Sequence, residues 1–135
     1  MTINEMKVGD SASFTKTVTE TDVYLFAGIS GDLNPAHINE VAASKTMFKS
    51  RIAHGILGAS FISATIGMQL PGPGTIYVSQ DLKFTAPVRI GDTVTATVTV
   101  TEINTEKNRA ILETTLTNQE GTVAIKGQAT VMPPK

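Results

Sequence analysis

The residues after Pro73 constrain the fold of this 135-residue chain more than any other part of the sequence. Four stretches there are rich in β-branched residues and alternate polar with apolar side chains, a pattern typical of strands. They are Thr75 to Val88, Asp92 to Ile103, Arg109 to Thr117 and Thr122 to Met132. Because short connections with Gly, Asn or charged residues separate them, we predict antiparallel strands, and the alternating Ser11 to Thr19 adds another.

One segment, Ile56 to Met68, is apolar around most of its circumference if it is helical, which predicts a buried helix. A curved antiparallel sheet of five or six strands can bury such a helix by wrapping around it. The predicted class is therefore α+β, and the predicted architecture is the hotdog fold. Such a layer leaves a sheet edge and part of the helix uncovered in a chain of this size, so we expect a homodimer.

Shorter elements are predicted between the first strand and this helix. Residues Thr19 to Asp22 can cap a helix that runs toward Gly28, and Asn39 can cap another over Glu40 to Met47. The segment Ser30 to His37 between them is dense in turn-forming residues and contains a proline that blocks a continuous helix. We therefore expect a fixed loop there.

Composition excludes several classes of function. The 11 basic and 12 acidic residues are scattered, which gives no attraction for nucleic acid. The chain has no cysteine and no cluster of metal ligands in its sequence, so we expect neither a metal nor a cofactor. The longest apolar stretch, Gly55 to Leu70, is shorter than the roughly 20 residues of a membrane span. We expect one domain over residues 1–135, no association with membranes, and a cytoplasmic location.

The remaining chemistry is acid/base chemistry, and Asp32 and His37 are the first candidates. His37 follows Asp32 by five residues in a loop stiffened by Gly31 and Pro35, so both side chains can face one small volume and share a water. The alternative is a structural one, in which Asp32 and Asn34 stabilise an Asx turn and His37 packs at a helix start.

Gly55 lies where the apolar helix is predicted to begin. Its amide would be one of the unpaired donors at the helix N-terminus, which suits a developing oxyanion, although glycine is also an ordinary residue at a helix start. The preceding His54 is interpreted as structural. Ser63, two turns into the helix, either bonds back to its own helix or orients Asp32.

Four segments in this order resemble those of the MaoC-like, or hydratase-2, family. They are Phe26 to His37, Ile52 to Leu57, Gly74 to Tyr77, and Phe84 to Asp92. The similarity extends over nearly the whole chain and is strongest to the short (R)-specific enoyl-CoA hydratases that supply polyhydroxyalkanoate monomers.

This resemblance implies a hotdog homodimer with its sites near the subunit interface. It also implies reversible hydration of trans-2-enoyl-CoA to (R)-3-hydroxyacyl-CoA, which makes acyl-CoA the expected substrate. Asp32 and His37 match the catalytic pair of the family, and Gly55 matches the backbone donor to the thioester oxygen. By the same matching, Asn34 helps to shape the catalytic loop and Ser63 supports Asp32.

Three other functions remain as alternatives. A hotdog thioesterase would direct water at the thioester carbon with the same oxyanion donor, and a related dehydratase would act on another carrier such as acyl-carrier protein. A non-catalytic acyl-CoA-binding protein would not depend on Asp32 or His37. The presence of both residues favours the hydratase.

Overall fold

Residues 1–135 are described by a computed structural model, in which six strands form one antiparallel sheet. The strands are β1 (Ser11–Thr17), β2 (Ile76–Gln80), β3 (Lys83–Phe84), β4 (Thr93–Asn104), β5 (Arg109–Thr117) and β6 (Val123–Met132). Their order is β1-β4-β5-β6-β2, and β3 also pairs with β6. The strands predicted for the second half of the chain and for its start are therefore present in one sheet.

Four α-helices accompany the sheet, and the longest of them packs against it. They are α1 (Glu20–Ser30), α2 (Pro35–Ile38), α3 (Glu40–Ala43) and α4 (Gly55–Met68), after a 3-10 turn at Ile3–Glu5. Helix α4 buries Leu57, Ile62 and Ile66 against the sheet. At Gly58, a Cβ atom would lie 2.9 Å from side-chain atoms of Leu116 and Ile125, so the absence of a side chain lets α4 approach the sheet closely.

Alternation along the central strands determines which face of the sheet forms the core. In β4, every second residue from Val94 to Val100 is buried, while the threonines between them lie on the other face. On that face, Thr95 and Thr93 exchange hydroxyl hydrogen bonds with Thr15 and Thr17 of β1, at 2.9 and 2.8 Å. These cross-strand pairs match the β1–β4 register. The hotdog arrangement of a sheet around a central helix is confirmed.

The strand predicted from Thr75 to Val88 is divided into β2 and β3. The division occurs at Asp81, whose carboxylate accepts a hydrogen bond from the Gln128 N–H at 3.1 Å. The backbone of Asp81 also lies so close to Gly127 that a Cβ atom there would overlap it. The Asp81 N–H still donates to the Gln128 carbonyl at 3.0 Å, so the side chain replaces only the return bond of the regular ladder. The residues after β3 leave the sheet before Pro87.

The helices between α1 and α4 also differ from the prediction. The last residues of the expected loop, Pro35 to His37, form the single helical turn α2 together with Ile38, because Pro35 occupies a first-turn position and Asn34 caps it. Helix α3 ends at Ala43 rather than at Met47. The hydroxyls of Ser44 and Thr46 bond to the carbonyls of Val41 and Ala43, which competes with continued helix.

None of the helices has the length and apolar character required to cross a membrane.

Candidate active site

Asp32 lies directly after the end of helix α1. The helix ends at Gly31, which adopts the left-handed conformation with φ of 80° that glycine tolerates best. Asp32 Oδ1 then accepts a hydrogen bond from the Asn34 N–H at 3.2 Å, and Asn34 Oδ1 accepts one from the Ala36 N–H at 3.0 Å. The Asx turn considered from the sequence is thus present. It uses only one carboxylate oxygen of Asp32, and the side chain is exposed.

His37, one turn further on, is held by a backbone carbonyl. Its Nδ1 lies 2.7 Å from the carbonyl oxygen of Ile52. Because a carbonyl only accepts hydrogen bonds, Nδ1 of His37 carries the hydrogen, and in the neutral ring Nε2 keeps its lone pair. The partner carbonyl is itself anchored, since the Ile52 N–H donates to the carbonyl of Ala36 at 3.2 Å. This arrangement leaves His37 Nε2 available as a base.

His54 brings the Asp32 and His37 regions together. Its Nε2 lies 2.9 Å from the backbone carbonyl oxygen of Asp32. Its ring stacks on the ring of His37, with centroids 3.9 Å apart and 27° between the planes. Asp32, His37 and His54 each have a carboxylate oxygen or ring nitrogen that lies within 4.8 Å of those of the other two residues. The sequence pattern indicates a structural role for His54, and these contacts between separate segments are not visible in it.

The same three residues are the group in this chain that could hold a metal ion. Each histidine donates one ring N–H to a backbone carbonyl, His37 through Nδ1 and His54 through Nε2, which is also the usual outer contact of a metal-ligating histidine. The other nitrogen of His54 is buried. His37 Nε2 and the Asp32 carboxylate are the atoms of this group available for proton transfer.

Gly55 begins helix α4, and its backbone N–H is free. The first helical bonds at this end are donated by Leu57 and Gly58 to the carbonyl of His54, which leaves the N–H groups of Gly55 and Ile56 without a protein acceptor. The dipole of a 14-residue helix strengthens these donors. A Cβ atom on Gly55 would come within 2.7 Å of the Phe84 ring, so a side chain would crowd the space in front of the amide.

An apolar cavity of about 590 Å³ opens beside these groups. His37, His54 and Gly55 contribute to its wall, and most of the remaining lining is hydrophobic. Its apolar side chains include Phe48, Ile52, Phe84, Val88 and Ile125. A chamber of this kind suits an acyl chain whose reactive end lies at the N-terminus of α4.

A half-buried guanidinium supports the segment that carries the His37 carbonyl partner. The side chain of Arg51, 15% exposed, binds Glu20 at 2.6 Å and Glu40 at 3.3 Å, and its Nη1 donates to the Tyr24 hydroxyl at 2.9 Å. The hydrogen bond from Arg51 holds the pKa of the Glu20 carboxyl below its ordinary value. Since Arg51 directly precedes Ile52, this cluster links α1 and α3 to the backbone that binds His37.

Ser63 lies on a different cavity, of about 420 Å³, between α4 and strand β2. It is exposed and makes no hydrogen bond to Asp32 within the chain. Its neighbours along that cavity include Phe26, Ser60 and Tyr77, and burial raises the pKa of the Tyr77 hydroxyl. Asp32, Asn34, His37 and Gly55 thus form one group, whereas the supporting role of Ser63 stays a prediction.

Sequence reasoning also missed Phe84, whose ring lies in front of Gly55. Phe84 belongs to the segment Phe84 to Asp92, which carries part of the family resemblance. This position in the sequence was the available indication that Phe84 lies near the site. The contact itself links residues 29 positions apart, so no local pattern could reveal it.

Comparisons with known proteins agree with this geometry. A model of the family described as "MaoC like domain" matches residues 4–123. The chain is 62% identical to an (R)-specific enoyl-CoA hydratase of Rhodospirillum rubrum over 96% of this chain and 90% of that protein. Among solved structures, the unliganded R-hydratase PhaJ1 of Pseudomonas aeruginosa has a TM-score of 0.94 at 44% identity, covering 99% of this chain and 86% of that one.

A second solved structure is the (R)-hydratase from A. caviae involved in PHA biosynthesis, with a TM-score of 0.93 and 42% identity. That alignment covers 96% of this chain and 98% of the other. Family match, sequence identity and fold therefore agree over almost the entire length. The chain belongs to the MaoC-like domain family.

Proposed function

We propose that this chain is an (R)-specific enoyl-CoA hydratase, a hydro-lyase that reversibly adds water to trans-2-enoyl-CoA to give (R)-3-hydroxyacyl-CoA. One observation carries the proposal: His37 lies at the wall of an apolar cavity beside the free N–H end of α4, with a side-chain atom within 4.8 Å of one of Asp32. The high identity to a hydratase over almost the full length of both chains supports the same reaction.

The free amide of Gly55 is proposed to bind the thioester oxygen. As water attacks C3, negative charge moves onto that oxygen, so a fixed donor stabilises the transition state more than the substrate. The donor is fixed because it belongs to the first turn of a helix packed against the sheet. The apolar cavity then receives the acyl chain.

Asp32 and His37 are proposed to hold the attacking water between them. His37 Nε2 accepts a proton from the water while the water oxygen bonds to C3, and this proton then passes to the Asp32 carboxylate, which delivers it to C2. The same water supplies the hydroxyl at C3 and, through the pair, the proton at C2, so the pair is unchanged after turnover. Because both groups lie on one face of the substrate, addition is syn.

Asn34 is proposed to shape the loop rather than to react. Its side-chain oxygen caps α2 through the Ala36 N–H, and its backbone N–H binds the Asp32 carboxylate. It therefore fixes the carboxylate and the start of the helical turn that carries His37. This dual role explains why an amide side chain is suitable at this position.

A homodimer of single-domain subunits is also proposed, each subunit formed by residues 1–135. Strand β2 is an edge of the sheet, and its residues Ile76, Tyr77 and Val78 are exposed. An unpaired edge with apolar side chains is the surface that a second copy can cover. Light scattering coupled to size-exclusion chromatography tests this proposal, and a mass of one chain, 14.3 kDa, would contradict it.

The experiment that tests the function follows the absorbance of crotonyl-CoA with the wild-type protein, Asp32→Asn and His37→Gln. We expect the enoyl band to disappear with the wild type, without free thiol, and each substitution to reduce kcat by about 10²- to 10⁴-fold. Circular dichroism serves as the control for folding. The 3-hydroxy product should have the R configuration.

Other results would contradict the proposal in distinguishable ways. Release of free thiol would indicate a thioesterase. Absence of turnover with crotonyl-CoA but turnover with an acyl-carrier-protein thioester would indicate the other carrier. Full activity in both variants would show that the pair is not catalytic.

A further inference from the structure

His54 is a buried polar residue whose contacts differ from those of an ordinary core histidine. It is 3% exposed, yet two of its neighbours are the groups proposed to react. Its ring stacks on His37 at 3.9 Å between centroids, and the ring of Phe26 packs against it at 4.8 Å. The imidazole of His54 therefore restricts the position of the proposed base.

One nitrogen of His54 has a partner and the other has none. Nε2 meets the carbonyl oxygen of Asp32 at 2.9 Å, so it carries the hydrogen and donates. Nδ1 is buried without any hydrogen-bond partner. An unsatisfied buried polar atom costs free energy, and its retention calls for an explanation other than stability.

His54 also precedes the first residue of α4, where a cap is usual. Ser, Thr, Asp or Asn at this position would accept a hydrogen bond from an N–H of the first turn. His54 makes no such bond, because its ring is turned toward Asp32 and His37. The Ile56 N–H, which a cap could bind, is consequently left free beside the free N–H of Gly55.

From these three observations we infer that His54 is a positioning residue for the hydration proposed above, on which this inference rests. Its N–H holds the backbone of Asp32, and its ring face holds His37. Because it does not cap α4, the Ile56 N–H stays free beside the proposed donor of Gly55. One side chain thus sets the relative positions of acid and base, directly before the oxyanion donor in the chain, without itself reacting.

Two substitutions separate the hydrogen bond from the stack. His54→Phe keeps an aromatic ring beside His37 and removes the donor to Asp32, whereas His54→Gln keeps a donor near the position of Nε2 and removes the ring. We expect kcat for crotonyl-CoA to fall about 10²-fold in His54→Phe and about 10-fold in His54→Gln, with little change in KM, because displaced catalytic groups lower the rate more than binding.

Thr65→Val is the matched control on the same helix. Thr65 is a buried polar residue like His54 and lies within α4, but its hydroxyl only bonds back to the carbonyl of Phe61 at 2.8 Å. The Thr65→Val variant should retain the wild-type kcat.

A double-mutant cycle gives a readout that a merely structural role would not affect. In an Asp32→Asn background, His54→Phe should lower the residual kcat little further, because its effect acts through Asp32.

Wild-type kcat in both His54 variants, with an active wild-type protein, would overturn the inference and leave the hydratase proposal intact. Additive effects of His54→Phe and Asp32→Asn would also overturn it.

An NMR measurement covers the case in which a variant does not fold or the wild type has no hydratase activity. Long-range ¹H–¹⁵N spectra of the wild type should show the Nε2–H tautomer for His54 and the Nδ1–H tautomer for His37, and the Nδ1–H tautomer at His54 would refute the geometry.

Discussion

The central strands and the segment of residues 30–55, here called the site segment, are stabilised by different interactions. In β4, β5 and β6, apolar side chains are buried at alternate positions, as for Leu112, Leu116 and Ala129. The site segment buries few apolar side chains. It is held mainly by hydrogen bonds between side chains and backbone, such as those of Asn34, His37 and His54.

The central strands contribute mainly to stability, whereas the site segment contributes mainly to the position of the reactive groups. Burial of apolar area in the sheet is non-directional and stabilises the fold as a whole. Side-chain hydrogen bonds to backbone are directional, so they can fix Asp32 and His37 relative to each other while each side chain keeps one atom free. We therefore expect changes in the sheet to alter stability, and changes in the site segment to alter activity.

Leu112→Ala should give the largest change in stability. Leu112 is fully buried in β5, and removal of its methyl groups leaves a cavity that the sheet cannot fill. We expect a decrease in the free energy of unfolding of about 2–5 kcal/mol. Denaturant unfolding provides the measurement. The variant should keep its kcat per folded molecule, and a large loss of kcat in a folded sample would break the comparison.

Gly55→Ala should give the opposite result, with a large change in activity and a small one in stability. The added methyl group meets the Phe84 ring, which can move, but it then crowds the amide proposed to bind the thioester oxygen. We expect kcat/KM to fall about 10- to 100-fold. Gly67→Ala in the same helix is the control, since its Cβ meets nothing within 4 Å.

That control should keep full activity and gain about 0.5–1 kcal/mol of stability, because alanine is the better helix former. Equal activity of the Gly55 and Gly67 variants would argue against the proposed oxyanion donor.

Arg51→Met should give the smallest effect on stability, and the effect should depend on pH. The hydrogen bond from Arg51 lowers the pKa of Glu20 below 4.5 in the folded protein. A carboxyl with a lowered folded-state pKa stabilises the fold above its unfolded-state pKa, and this contribution is lost as the pH falls through the folded-state value. The Tm difference from wild type should therefore be largest near neutral pH and decrease below about pH 4.5.

Lys45→Met is the matched control, because Lys45 forms no ion pair in the structure. Its Tm difference from wild type should not show the same decrease in acid. A Tm difference for Arg51→Met that stays constant from neutral pH to acid would show that Glu20 does not contribute through this pair.

The sheet was predictable because its pattern is local. Alternation in the segments that became β4, β5 and β6 placed these strands within a residue or so of their observed bounds, for example Thr93–Asn104 against a prediction of Asp92 to Ile103. Helix α4 was equally clear from its apolar composition. In both cases the polar or apolar type of each residue indicates whether that residue is buried, so the prediction required no knowledge of distant contacts.

Predictions were wrong where distant or competing polar contacts decide the structure. The break between β2 and β3 depends on Asp81 bonding to Gln128, and the early end of α3 depends on hydroxyls that bond to nearby carbonyls. Neither is visible in a hydrophobic pattern. Tertiary contacts and local side-chain bonds override propensity in both places.

The sequence alone indicated the candidates for reaction, Asp32 and His37, and a candidate position for the oxyanion donor, at Gly55. Only the tertiary structure decided that His54 lies against both members of the pair, that Ile52 presents its carbonyl to His37, and that Ser63 faces another cavity. The physical reason is that residue types carry chemical capability, whereas relative position depends on how separate segments pack. The sequence shows chemical capability directly, but it does not show relative position.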